Sequence, residues 1–196
     1  MTTTFAYKGK KFAVKQPRDA KHVPKPQQSS KRRVSMSKRI IDVCCGSKMF
    51  WFDKDNADVE FCDIREIPKT EYYPGRYIEV APDTVCDFTN LPFEDNSFHL
   101  VVFDPPHLQW AGDTSIMAMK YGKLKGDWRA MLSAGFDECM RVLRPNGVLI
   151  FKWSEIQFPL SEILPLFSQK PLFGNRMIKR GNKTHWLAFM KAEVRE

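Results

Sequence analysis

Four consecutive residues, Asp104-Pro105-Pro106-His107, bring together a carboxylate, two rings without backbone N–H groups and an imidazole. They directly follow Leu100-Val101-Val102-Phe103, an apolar run that reads as a buried strand. Proline fixes φ and donates no hydrogen bond, so the carbonyls of this turn have no matching local donors. A carboxylate and a free carbonyl held in a rigid turn accept two hydrogen bonds from one planar amino group. His107 adds a ring that can stack, donate a hydrogen bond or carry a proton. Trp110 and Tyr121, further along the same connection, are candidate substrate-binding aromatics, and Lys152 is a third candidate at the end of a later strand.

Three more acids stand at the ends of successive strand-like runs. Asp42 closes Arg39 to Val43 and precedes Cys44-Cys45-Gly46-Ser47, where Gly46 permits a tight turn beside a ligand. Asp63 follows Val59-Glu60-Phe61-Cys62, a place where an acid commonly binds the two hydroxyls of a ribose. Asp87, followed by Phe88, comes after a weaker strand, Thr84-Val85-Cys86, and there a carboxylate with neighbouring N–H groups can read an adenine edge. One glycine is a weak signal, and the absence of G-x-G-x-x-G argues against a dinucleotide.

The elements that must hold these residues alternate between strand and helix. After the His99 to Phe103 strand, Asp127 to Leu143 reads as a helix capped by Asp127, with Trp128, Met131, Leu132, Phe136, Cys139, Met140 and Leu143 on one stripe. Pro145-Asn146-Gly147 is a turn, and Val148 to Trp153 a fifth strand. Leu160 to Phe167 is a short helix interrupted by Pro165. Leu172 to Met177 and Thr184 to Lys191 flank a turn and read as an antiparallel hairpin. Such alternation predicts a doubly wound, mostly parallel sheet with helices on both faces, binding its ligand outside the carboxyl ends of the strands. Residues 64–83 and 105–126 read as irregular insertions, and loops of that length are usually functional.

Charge divides the chain. Residues 1–39 hold 12 Lys/Arg and one acid, whereas the remaining 157 hold 19 Lys/Arg and 22 acids. The net +8 therefore belongs to an arm rich in Lys, Pro, Gln and Ser, expected to be disordered in isolation. Such an arm is either a solvated tail or an electrostatic tether to phosphates. Five cysteines show no C-x-x-C spacing and read as reduced, buried thiols of a cytoplasmic protein, with no metal site. No apolar run is long enough for a membrane span.

Ile41-Asp42-Val43-Cys44-Cys45-Gly46, Asp63, Asp87 to Val101 and Arg141 to Ile150 together resemble the class I S-adenosylmethionine-dependent methyltransferases. Residues 104–107 resemble the D/N-P-P-aromatic motif of enzymes that methylate nucleobase amino groups. The resemblance implies an α/β fold: a seven-stranded Rossmann-like sheet with a C-terminal antiparallel hairpin, spanning residues 39–196 behind a flexible basic arm at 1–38. It implies S-adenosyl-L-methionine as cofactor, with Asp42, Cys44 and Gly46 by its methionine end, Asp63 by the ribose, and Asp87 and Phe88 by the adenine. Asp104, Pro105, Pro106 and His107 become the catalytic turn, and DNA or RNA the partner, with adenine N6 the favoured acceptor. His107 departs from the family's usual Tyr, Phe or Trp and leaves the acceptor open. The alternatives are a methyltransferase acting on a protein side chain or small molecule, and a nucleic-acid- or cofactor-binding protein without catalysis. A protein partner is conceivable but has no signal of its own.

Overall fold

The computed structural model describes residues 2–7, 10–15, 38–112, 115–175 and 183–192. Near the N-terminus, β1 (Thr2–Tyr7) and β2 (Lys10–Lys15) pair antiparallel, with Phe5 opposite Phe12. Part of the arm, expected to be largely disordered, thus forms a local hairpin. Its short runs contain Thr, Phe, Tyr and Val, residues that favour a pleated strand, and such a ribbon alone is marginal in water. The rest of the arm up to residue 37 lies outside the described residues. Lys38, counted with the arm, is tied to the body by ion pairs of 2.8 Å to both Glu60 and Asp83.

Five parallel strands form the centre: β3 (Ile40–Asp42), β4 (Val59–Asp63), β7 (Thr84–Val85), β8 (Phe98–Phe103) and β9 (Leu143–Ser154). The hairpin β5 (Ile67–Tyr73) and β6 (Arg76–Val80) stands outside them, while β10 (Phe173–Gly174) and β11 (Thr184–Met190) complete the sheet. Its order is β10-β11-β9-β8-β3-β4-β7. β11 runs antiparallel to β9, and β10 antiparallel to β11. This is the mostly parallel, seven-stranded Rossmann-like sheet with antiparallel C-terminal strands that the resemblance implied. The Lys179–Asn182 turn of the expected hairpin lies outside the described residues.

Helix α2 (Trp128–Val142) starts where expected, with the Asp127 carboxylate accepting from the Ala130 N–H at 3.1 Å. Its stripe of Trp128, Leu132, Phe136 and Cys139 packs with Leu149, Phe151 and Trp153 of β9 in the main core. On β9 these three fully buried residues alternate with half-buried Ile150, Lys152 and Ser154, as the two-residue period of a strand requires. α3 (Leu160–Ile163) continues as a 3-10 turn over Leu164–Leu166, because Pro165 cannot extend the helix.

The alternation of strand and helix is broken at the first crossover. The crossover from β3 to β4, residues 43–58, carries no helix. Within it Asp53 Oδ1 accepts from the Asp55 N–H and Asn56 Oδ1 from the Asp58 N–H, both at 3.0 Å. These short polar side chains give the backbone a turn instead of a helical ladder. Trp51 from this loop covers the sheet instead, packing with Ile40, Cys45, Val59 and Phe61 in a second small cluster.

The two insertions also have more order than expected. Residues 64–83 contain the β5–β6 hairpin, turning at Pro74-Gly75 where Gly75 has φ +74°. The cue lay in the Pro-Gly pair between Tyr72 and the alternating Ile78 and Val80, all three of which are buried. Residues 105–126 contain α1 (Ile116–Tyr121), capped by the Ser115 hydroxyl, which accepts from the Ala118 N–H at 3.1 Å.

Candidate active site

The carboxyl ends of β3, β4, β7, β8 and β9 open onto one cavity of about 610 Å³. Most of the residues singled out in the sequence line it: Cys44, Gly46, Asp63, Asp87, Phe88, Asp104, Pro105, Pro106, His107, Tyr121 and Lys152. Asp42 and Trp110 do not. Asp42 is wholly buried, and its carboxylate accepts from the Trp51 indole N–H at 2.7 Å and the Cys44 N–H at 3.2 Å. Trp110 is 70% exposed and lies against Phe158, ring centres 5.2 Å apart.

One half of the cavity is built from backbone turns and the acids that hold them. Gly46 has φ +50°, a value L side chains rarely adopt, and a Cβ there would stand 3.5 Å from the Lys120 carbonyl of α1. Its N–H donates to Asp63 Oδ2 at 2.9 Å. The same carboxylate takes the Arg65 guanidinium through Nε (2.9 Å) and Nη2 (3.0 Å), and the Arg65 N–H at 2.9 Å. All four lone-pair positions of Asp63 are thereby occupied. Arg65 Nη1 also donates to the Met119 carbonyl at 3.0 Å, so one side chain joins the end of β4 to α1. Asp87 Oδ1 accepts from the Thr89 N–H and hydroxyl, each at 2.8 Å. Phe88 is buried against Phe103 and sits over Gly135, whose missing Cβ would fall 2.5 Å from the Phe88 ring.

The other half is built from side chains that meet from distant elements. Asp104, just after β8, is held by Lys152 of β9, with Nζ 2.5 Å from Oδ2. Burial raises the Asp104 pKa, and the Lys152 charge opposes that rise. His107 is buried, its ring centre 5.7 Å from that of Tyr121 and 6.2 Å from that of Trp153. Burial, then the nearby Lys152 charge, lower its pKa to about 4 against a hydrogen bond to the Pro105 carbonyl. The imidazole is therefore neutral at neutral pH. Below these groups Asp42 is pushed up to about 7, chiefly by burial and despite its two donors, with the charges of Asp104 and Asp63 adding to the rise.

All five cysteines are free thiols. Burial raises the Cys44, Cys45 and Cys139 thiols, which are correspondingly unreactive. Among the described residues no cluster of His, Cys, Asp or Glu has the makings of a metal site, and no helix is long and apolar enough to cross a membrane. Sequence reasoning missed Arg65 and also Phe50, which lines the cavity from the helix-free crossover. Arg65 had a faint cue, standing two residues beyond a strand-end acid. Phe50 had none, because its place depends on how that crossover turns.

No family profile matches the chain, and no curated protein matches it. Among solved structures it is similar to a 1,6-didemethyltoxoflavin N1-methyltransferase of Burkholderia thailandensis with bound substrate and S-adenosylhomocysteine. The identity is 17% over 79% of this chain and 71% of that one, at TM-score 0.45. A methyltransferase of Methanosarcina mazei described as S-adenosylmethionine-dependent is 16% identical over 82% and 95%, at TM-score 0.42. An rRNA methylase from Streptococcus thermophilus is 12% identical over 80% and 89%, at TM-score 0.43. These likenesses are too distant to assign an activity, and the functional reading rests on the cavity.

Proposed function

We propose that this chain transfers a methyl group from S-adenosyl-L-methionine to an exocyclic amino nitrogen of a nucleobase in DNA or RNA, with adenine N6 favoured. The observation that carries the reading is a single cavity in which the strand-end turn at Gly46, Asp63, Asp87 and Phe88 faces the Asp104-Pro105-Pro106-His107 turn. The residues present fit the cofactor. The Gly46 turn leaves a cradle that a side chain would narrow, Met131 and Phe88 give an apolar wall, and Asp87 stands at its edge. Asp63 is the ribose acid in this reading, and Arg65 must withdraw to free its oxygens. Bound there, the cofactor supplies an electrophilic methyl on a sulfonium.

The chain's own residues orient the acceptor. Asp104 Oδ1 and the Pro105 carbonyl accept the two amino hydrogens, which turns the nitrogen lone pair, otherwise delocalised into the ring, toward the cofactor half. Lys152 opposes the rise that burial imposes on the Asp104 pKa and so favours the ionised form that this role needs. Such catalysis is mostly positioning plus fixed charge. Neutral His107, hydrogen-bonded to Pro105, fixes the carbonyl and is too weakly basic to serve as a strong base, which an amine that loses its proton late does not require. The basic arm at 1–38 supplies the hold on phosphates.

The test is transfer of a labelled methyl group to DNA, RNA and protein pools, followed by nucleoside analysis of the labelled pool. Asp104→Ala is expected to lower transfer by about 10²–10³-fold, by comparison with other lost catalytic hydrogen bonds. Cofactor affinity measured by calorimetry should stay unchanged. Label found only in protein, or undiminished transfer by Asp104→Ala, would reject the reading.

A further inference from the structure

A flat acceptor gripped by its amino group needs a surface for its face, and the turn that grips it does not provide one. His107 is 6% exposed and its ring is enclosed between Tyr121 and Trp153. Trp110 is turned away against Phe158. Around Lys152, the partner of Asp104, the situation differs. Phe50 lines the cavity and meets Trp186 edge-on, ring centres 5.5 Å apart at 87°. Trp186 is the cross-strand neighbour of Lys152 in the β11–β9 ladder and is 36% exposed. The Lys152 ammonium stands 5.4 Å from the Phe50 centroid and 5.7 Å from that of Trp186, while it pairs with Asp104. Met49, 55% exposed, extends the apolar surface at the same cavity wall.

We propose that Phe50 is the stacking platform for the planar acceptor, held edge-on by Trp186, with Lys152 joining the platform to the amino-group grip at Asp104. The proposal rests on the nucleobase reading above and names residues for which the acceptor turn itself gives no cue. Three physical features support it. Aromatic faces beside a cation are what a base stacks on without sequence preference. The platform is braced from behind, because Phe50 stacks on Trp51 (5.9 Å, 30°) and Trp51 is edge-on to Phe61 in the second cluster. The platform and the grip share one ammonium, so a ring resting on Phe50 keeps its amino group within reach of Asp104. The helix-free crossover is what makes this possible. It leaves Phe50 at the cavity instead of under a helix.

The test titrates the full chain with an adenine-containing single-stranded oligodeoxynucleotide and follows indole fluorescence, with Trp186→Phe separating the Trp186 signal from the other four tryptophans. Quenching of Trp186 is expected. Phe50→Ala should weaken oligonucleotide binding roughly 5- to 150-fold, the range for loss of one base–aromatic stack, and Trp186→Ala, which removes only the support, should weaken it less. Phe50→Tyr should restore it and Phe50→Leu should not, which separates ring stacking from apolar packing. Unchanged cofactor affinity in the same variants reports an intact fold. Wild-type protein that does not bind the oligonucleotide, or Phe50→Leu binding as well as wild type, overturns the platform. Platform-dependent binding without methyl transfer upholds the platform and removes the transfer reading. Transfer unaffected by the Ala variants does the reverse.

Discussion

The two halves of the cavity are stabilised differently. In the proposed cofactor half each acid is satisfied close to home in the sequence or by one turn: Asp87 by Thr89, and Asp63 by Arg65 and Gly46. In the acceptor half Asp104 relies on Lys152, 48 residues away, and nothing local replaces that partner. A locally satisfied carboxylate is a turn device that ligands can borrow. A carboxylate neutralised from another strand is a buried charge whose state depends on tertiary structure. Substitutions in the acceptor half should therefore alter chemistry, and those in the cofactor half affinity and stability.

Lys152→Met gives the largest expected effect among tests of this contrast. It removes the charge that holds the Asp104 pKa down, so the carboxylate protonates at higher pH. Asp104 must be ionised to accept the amine, and activity is lost as pH falls through its pKa. The acidic limb of the rate profile should move to higher pH, with roughly 10²-fold loss in kcat/KM near neutrality. An unmoved limb would mean that Asp104 is not the group being titrated.

Asp42 tests the floor shared by both halves. Its pKa is raised from 3.8 to about 7, so the folded state binds more protons than the unfolded chain between those values. By linkage this contribution to stability is full below about 3.8 and is lost as pH rises toward 7. Asp42→Asn should flatten that decline in thermal unfolding measured from pH 4 to 8. A steeper decline would show that Asp42 stays ionised in the core.

Gly135→Ala probes the cofactor half through packing. The new Cβ would fall 2.5 Å from the Phe88 ring and 3.0 Å from Phe103, forcing both to shift. Overpacking of this kind costs about 1–3 kcal/mol and should also weaken cofactor binding several-fold. The smallest effect is expected from Arg65→Ala, which frees two positions on Asp63 and unties Met119. Cofactor affinity should tighten a few-fold while protease cleavage within 115–126 speeds up. Weaker affinity instead would mean that Arg65, not Asp63, meets the ligand.

Most of the cavity lining at the ends of β3 and β4 was legible because strand ends are local signals, although Asp42 lies beneath the cavity and not on it. An apolar run, an acid and a glycine mark Asp42, Asp63 and Gly46 without knowledge of any neighbour. The place of the Asp104 turn at the cavity was legible for the same reason, as the two prolines follow the strand directly. The rest needed partners. Lys152 could be placed at a strand's end but not paired with Asp104, since pairing depends on β8 and β9 being neighbours. Phe50 and Trp186 meet from a turn-rich crossover and an antiparallel strand, and no periodicity connects them. The crossover itself misled because βα alternation sets a strong expectation of a helix, which the Asp and Asn side chains of 53–58 override. Helix α2 was fully legible, cap included, because its stripe and its Asp127 obey one local rule.

The strand order has a consequence for how the chain assembles. β3 is an interior strand of the sheet, with β4 on one side and β8 on the other, yet its Ile41 lies beside Val101 some sixty positions further along. Until residue 103 has been made, that strand has only three residue pairs with β4 to hold it. Parallel pairing over such separations demands loop closure before any contact rewards it, which slows folding relative to a sheet of hairpins. An emerging chain therefore carries Ile40 to Asp42 with one uncovered edge until residue 103 is synthesised. The Asp104 turn is thus made at the point where β3 gains its second neighbour, while β8 still waits for β9.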